Sequence, residues 1–380
     1  MYICQVSILL YSLVGVALAS IGDQSEDFVS CVEDCNSYLK CSNPRSYPAP
    51  KYQMVTPIVK YTPQDFLEYH QIGYIPKILF DWDCSSNCNY QCTQFTTQNN
   101  MVNEKPVVQY FGKWPFIRIF GITEIFSVVF SLFNLYSNWI NLPKIHSEYE
   151  KHINNEFKNM YLQYLILLYV SITGWIFSTL FHIRDSPLTE TLDYYGAIAI
   201  IVCNFNTITI RYFELYKAKY NKIRYIFQFI LFSIYILHLI KLQNHWDYDY
   251  NIKFNLVFGV GALILWCLHS YNVNILYGKN NHIYNNSIQL LPYETKIMSK
   301  LDKTIYLSNV KLIPILPIIL NAVLIFGMSL ELIDFVPIYL LIDAHSLWHF
   351  VTIFPTLIWY DWNIWDIELK KLSSDVNKFN

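Results

Sequence analysis

From residue 116 onward, apolar residues run together in stretches of near-membrane length, separated by short polar connections. Seven such runs stand out, at 116–140, 161–181, 192–210, 225–242, 254–276, 312–330 and 337–359. Each is about 18 residues or longer, enough to cross the hydrocarbon layer as an α-helix. No repeat of fixed period accompanies them. An earlier apolar run, 3–19, is too short for a comfortable span and ends in Ala17-Leu18-Ala19 before Ser20. That small-residue pattern reads as a secretory signal peptide, with an uncleaved anchor as the other reading because the usual positive flank is missing. Residues 20–115 are polar and loop-like, too small a region to bury a large core without staples. The pattern therefore predicts an all-α membrane protein, a seven-transmembrane helix bundle with a small disulfide-rich lumenal N-terminal region. Its divisions are a signal peptide at 1–19, a cysteine-rich lumenal region at 20–115, the seven-span domain at 116–360 and a cytosolic tail at 361–380.

Composition agrees. Charged residues make up 15% of the 380, against about 25% in soluble domains, and aromatics reach 17%. Lys and Arg total 27 against 29 Asp and Glu, a net charge of −2. That balance provides no basic field for nucleic acid. Where the positive charges fall sets the orientation. Seven crossings from a lumenal N-terminus make the third-to-fourth and fifth-to-sixth connections cytosolic. These hold Arg211, Lys217, Lys219, Lys222 and Arg224, then Lys279, Lys296, Lys300, Lys303 and Lys311. The lumenal second-to-third turn holds only Arg184, as the positive-inside rule requires.

Six of the 9 Cys lie in the polar N-terminal region: Cys31, Cys35, Cys41, Cys84, Cys88 and Cys92. An even number in a lumenal segment points to disulfides, with 15 pairings open, while a zinc knuckle is disfavoured by the three-residue gaps and the lack of a His.

Ionisable groups inside a span cost roughly 2.5–3.5 kcal/mol at mid-bilayer on insertion scales, so each needs a reason. Ser178 and His182 stand one turn apart in the second span, and His345 and His349 do so in the seventh, within DAHSLWHF at 343–350. Asp193 opens the third span. With the orientation above, all five fall at one depth near the lumenal leaflet. Three imidazoles with an open position form a catalytic zinc set. Asp193 is the candidate to orient or deprotonate water, and Ser178 the candidate donor to an oxyanion. Asp343 is a candidate orienter of a ligand His. An HxxxH pair also arises by chance in a chain with 10 His; the shared depth is what points to a metal. His238 and His269 read as packing or interfacial residues, Trp82 as part of an interfacial belt, and Glu124 as an ion-pair partner of Arg118 or a ligand of a second cation.

At these residues the chain resembles the Per1-like proteins. The segments are DWDC (81–84), QYFGKWPF (109–116), FHIRD (181–185), TETLDYY (189–195), MSLELIDF (328–335) and DAHSLWHF (343–350). Per1-like proteins are post-GPI-attachment remodelling factors within the CREST superfamily of membrane hydrolases, which also holds alkaline ceramidases and the progestin and adiponectin receptors. Ser178, His182, Asp193, His345 and His349 match the superfamily pattern. The resemblance implies removal of the sn-2 acyl chain from the phosphatidylinositol of GPI-anchored proteins, a phospholipase A2-type reaction. It also implies Zn2+ and residence in the endoplasmic reticulum or Golgi membrane. A ceramidase-like amidase and a non-enzymatic seven-span receptor or metal-homeostasis protein are the rival readings.

Overall fold

A computed structural model describes residues 21–42, 47, 49–54, 59–68, 73, 80, 82–286, 291, 293–305 and 309–379. The expected signal peptide at 1–19 lies outside them. The described residues form helices and isolated bridges, with no strand among them. The helices are α1 (Glu26–Leu39), α2 (Pro63–Glu68), α3 (Cys84–Val102), α4 (Ile125–Trp139), α5 (Leu142–Lys151) and α6 (Lys158–Ile183). They continue with α7 (Pro187–Tyr212), α8 (Asn221–Asn244), α9 (Tyr248–Asn286), α10 (Glu294–Ile305), α11 (Leu316–Glu331) and α12 (Ala344–Phe379).

The Cα positions fall into two compact units. The first comprises Met1–Val128, His182–Asp185 and Leu332–Ser346; the second comprises Val129–Phe181, Ser186–Glu331 and Leu347–Asn380. Helices α4, α6 and α12 run unbroken from one residue set into the other.

The first unit is built on a stapled helix pair. Ser25 caps α1 by accepting from the Phe28 amide, with Glu26 and Asp27 in the first turn, and Asp83 caps α3 through the Ser86 amide at 2.6 Å. The three disulfides are Cys31–Cys92, Cys35–Cys88 and Cys41–Cys84, with Cα separations of 5.7, 5.7 and 5.4 Å. Cys31 and Cys35 on α1, like Cys84, Cys88 and Cys92 on α3, are four residues or about one helical turn apart, so they meet in antiparallel order, and Cys41, just past the end of α1, continues the order to Cys84. Cys41, Cys84 and Cys88 also lie close enough to suggest a metal, but all three sulfurs are consumed in these bridges. Phe28, Phe66 and Tyr110 close the small core around the cystines.

The second unit carries the long apolar helices. α9 packs on α7 and α11, and α8 packs on α7. One core gathers Trp266, Trp362, Trp365, Ile313 and Leu316; a second gathers Ile145, Met160, Tyr161, Tyr164 and Ile364. α6 and α7 touch at glycines: a Cβ on Gly196 would lie 3.0 Å from the Gly174 Cα, so only glycine permits the approach. α8 turns Phe229, Phe232 and Leu237 outward, an exposed apolar surface that suits lipid rather than water. Buried polar groups pair inside: Arg211 Nε and Nη2 donate to Asp366 at 2.6 and 2.8 Å, and His269 Nε2 lies 3.0 Å from the same carboxylate. His269 thus joins this network and also packs as expected, edge-on against Trp362 with ring centroids 5.9 Å apart. His238 does pack, stacked on Phe254 with ring centroids 3.9 Å apart.

Five helical segments are long and apolar enough to cross a membrane: Ile125–Lys151, Lys158–Ile183, Ala218–Asn244, Tyr248–Gly278 and Val310–Glu331. The expected spans at 192–210 and 337–359 are helical over most of their length but fall outside this set. α7 contains Glu190, Asp193, Asn204, Asn206 and Arg211, and α12 contains His345, His349, four Trp and Tyr360. Their polar content lowers the hydropathy on which a span is recognised. The first span also begins later than expected, because residues 119–122 form a tight turn with Phe120 and Gly121 at positive φ.

α4 holds a feature the apolar run conceals. Ser127, Ser131, Asn134 and Asn138 are all buried, and Asn141 continues the line. Spacings of four and three keep them on one face. Beyond Ser127 this face meets α12: Asn134 Nδ2 donates to the His349 carbonyl at 2.7 Å, and Thr352 Oγ1 to Asn134 Oδ1 at 3.2 Å. Between helices in lipid, where hydrophobicity drives no association, such bonds supply adhesion and register.

Candidate metal centre

Two helix ends carry the imidazoles, and each is locked by its own chemistry. His182 is on the last turn of α6. The backbone fastens this turn to the start of α4, Thr123 N donating to the Ile183 carbonyl and Glu124 N to that of His182, both at 3.1 Å. α12 begins with a reciprocal cap: the Ser346 amide donates to Asp343 Oδ1 at 2.8 Å, and the Asp343 amide to Ser346 Oγ at 3.0 Å. Asp343 therefore fixes the turn that bears His345. The Asp343 carbonyl also accepts from Ser346 Oγ at 2.9 Å.

His182 and His345 face each other with ring centroids 5.2 Å apart. His349 follows one turn along α12. One ring nitrogen from each of His182, His345 and His349 lies within 4.8 Å of the other two, a group that can hold one metal ion. His182 and His349 are buried and His345 is half-buried.

The donor set fits zinc, because the protein itself engages one nitrogen of two of the rings. Glu124 Oε2 sits 2.7 Å from His182 Nδ1, and Ser131 Oγ 2.9 Å from His349 Nδ1. Both contacts engage Nδ1, so an ion would be held through Nε2, the usual way a ligating His is oriented. Zn–N bonds of about 2.0–2.1 Å separate tetrahedral nitrogens by roughly 3.4 Å, within reach of small ring movements here. Three nitrogens with an open fourth position suit a catalytic rather than a structural site.

Around this group stand residues that the sequence reading missed or misplaced. Glu124 pairs with Lys113, not Arg118: Lys113 Nζ lies 2.9 Å from Glu124 Oε1 and 3.1 Å from Asp185 Oδ2. Burial alone would pull the Lys113 ammonium down, but the two carboxylates outweigh it and hold its pKa above the ordinary lysine value. A lysine bound to this carboxylate takes the place expected of a second cation. Arg118 instead donates to Asn87 at 2.8 Å and stacks on Trp82 and Tyr90. Trp82 is not an interfacial belt residue. It is buried, with the Arg118 and Arg184 guanidiniums 4.2 and 4.1 Å from its ring.

Ser178 Oγ lies 3.2 Å from Ser131 Oγ, and the Trp175 ring meets His349 edge-on at 5.3 Å. Asp193 stands half-buried on the second turn of α7, which is capped by Ser186 and Thr189. It is not a member of the three-imidazole group.

The profile of the Per1-like family matches residues 75–367. Protein PER1 of Saccharomyces cerevisiae is 32% identical over 360 residues, covering 91% of this chain and 92% of that protein. Post-GPI attachment to proteins factor 3 of Drosophila melanogaster is 29% identical over 355 residues, covering 93% and 91%. The GPI-specific phospholipase A2-like PGAP3 of Mus musculus is 28% identical over 352 residues, covering 91% and 89%. No solved structure matches the chain.

Proposed function

The chain belongs to the Per1-like family, and from that premise we propose that it remodels the lipid of GPI-anchored proteins. The reaction is hydrolysis of the sn-2 ester of their phosphatidylinositol. The observation that carries this reading is the group of three imidazoles able to share one ion, with a serine hydroxyl one helical turn from His182. Names of relatives such as GPI-specific phospholipase A2-like PGAP3 favour the same chemistry.

His182, His345 and His349 would hold the zinc ion, which when bound would supply Lewis-acid polarisation of the ester carbonyl and activation of water. The remaining steps belong to this chain's own residues. Asp193, which matches the superfamily pattern at the start of α7, is assigned the proton of the attacking water. Water oxygen bonds to the acyl carbon and the bond to the sn-2 oxygen breaks. The proton then passes from Asp193 to the departing glycerol oxygen. Ser178 Oγ–H donates to the oxygen that gains charge as the carbonyl is attacked. The products are a free fatty acid and a lyso-GPI. The protein is multi-pass in the endoplasmic reticulum membrane with a lumenal N-terminus, which brings these residues to the depth of the ester in the lumenal leaflet. Six bridged cysteines suit that oxidising compartment.

Purified protein given a GPI lipid with an unsaturated sn-2 chain should release that fatty acid and lyso-GPI in equal amounts by mass spectrometry. Cleavage of a ceramide amide in its place, or no release from folded, metal-replete protein, would overturn the assignment.

A further inference from the structure

We infer that Ser131 is a positioning residue that sets the direction of the hydrogen bonds in the centre, fixing the His349 tautomer and making Ser178 a donor. The inference rests on the metal reading above and adds a residue and a role to it.

Ser131 differs from Ser137 and Asn138 further along α4. Ser137 and Asn138 bond back to the Asn134 carbonyl of their own helix, as polar side chains in membrane helices commonly do. Ser131 instead reaches two other helices. Its Oγ lies 2.9 Å from His349 Nδ1 on α12 and 3.2 Å from Ser178 Oγ on α6, and it is fully buried.

A hydroxyl has one proton and two lone pairs, and a neutral imidazole has one N–H. If His349 offers Nε2 as a ligand, its proton must be on Nδ1, and Nδ1–H donates to Ser131 Oγ. The Ser131 proton is then directed at Ser178 Oγ. Ser178 accepts that bond, and its own proton is left to point at substrate. The opposite polarity, with Ser131 donating to Nδ1, would put the ring proton on Nε2 and remove His349 from the ligand set. Only one direction along Nδ1–H, Ser131 and Ser178 serves both metal and oxyanion.

Threonine and valine at position 131 have nearly the same shape and differ in the hydroxyl. Zinc affinity of the full-length, detergent-solubilised protein is measured by chelator competition for wild type, Ser131→Thr and Ser131→Val, alongside the melting temperature of each without metal. Ser131→Thr should bind zinc within about threefold of wild type and Ser131→Val about 10–100-fold more weakly, the range for lost orienting partners. The two metal-free variants should melt alike. Equal zinc affinity for Thr and Val would overturn the role of Ser131 and leave the metal reading standing. A wild type that binds no zinc would overturn both.

Discussion

Replacing His345 with alanine is expected to abolish lyso-GPI formation while the protein still folds. His345 is half-buried and lies on the first turn of α12, whose start is held by the Asp343–Ser346 cap rather than by the imidazole. Losing the ring therefore removes a ligand without unfastening the helix. Lewis-acid stabilisation is worth several kcal/mol, and about 4 kcal/mol corresponds to a roughly 10³-fold loss of rate. The measurement is mass spectrometry of GPI-anchor lipids in cells expressing the variant at wild-type level. Normal lyso-GPI formation by a folded His345→Ala protein would mean that the histidines do not carry the chemistry.

A second large effect concerns stability and lies outside the metal centre. Asp366 is buried on α12 and accepts from Arg211 of α7 and His269 of α9. Asp366→Ala strands a buried guanidinium, and breaking one side of such a pair costs about 3–5 kcal/mol. Monodisperse protein in detergent should fall sharply in yield and melting temperature. The double change Asp366→Leu with Arg211→Met removes both charges and should recover most of the loss, since a buried ion pair can often be replaced by apolar side chains of similar volume. If the single variant melts like wild type, the network contributes far less than its burial implies.

How much of this was legible in the sequence depends on how foreign a residue is to its surroundings. His345, His349, Ser178 and His182 sit in apolar runs at one-turn spacing, and the structure gathers the three imidazoles. Ser131 and Asn134 sit in an equally apolar run yet looked unremarkable, because a Ser or Asn in a membrane helix usually bonds to its own backbone. The signal was periodic: Ser127, Ser131, Asn134, Asn138 and Asn141 repeat at 3.5 residues, marking one buried face. Lys113 was hidden differently. It precedes the helix in a polar segment, and its tie to Glu124 spans a turn that hydropathy cannot show. In the cysteine region, gaps of three residues counted against a zinc knuckle, but they are also the spacing of helical turns. Antiparallel lacing of two helices was one consequence available from that spacing. The two expected spans outside the apolar set, α7 and α12, carry Asp193 and the His345–His349 pair among other polar groups that lower their hydropathy, whereas α6 holds Ser178 and His182 in a run that stays apolar enough to be recognised.

Whether α6 and α12 share one ion is measured most directly by metal analysis of purified wild type and His349→Ala. About one zinc per wild-type chain, near zero in His349→Ala at matched folding, is the result expected from three imidazoles within 4.8 Å. Wild type without metal after purification and zinc addition, or equal zinc in both proteins, would contradict it.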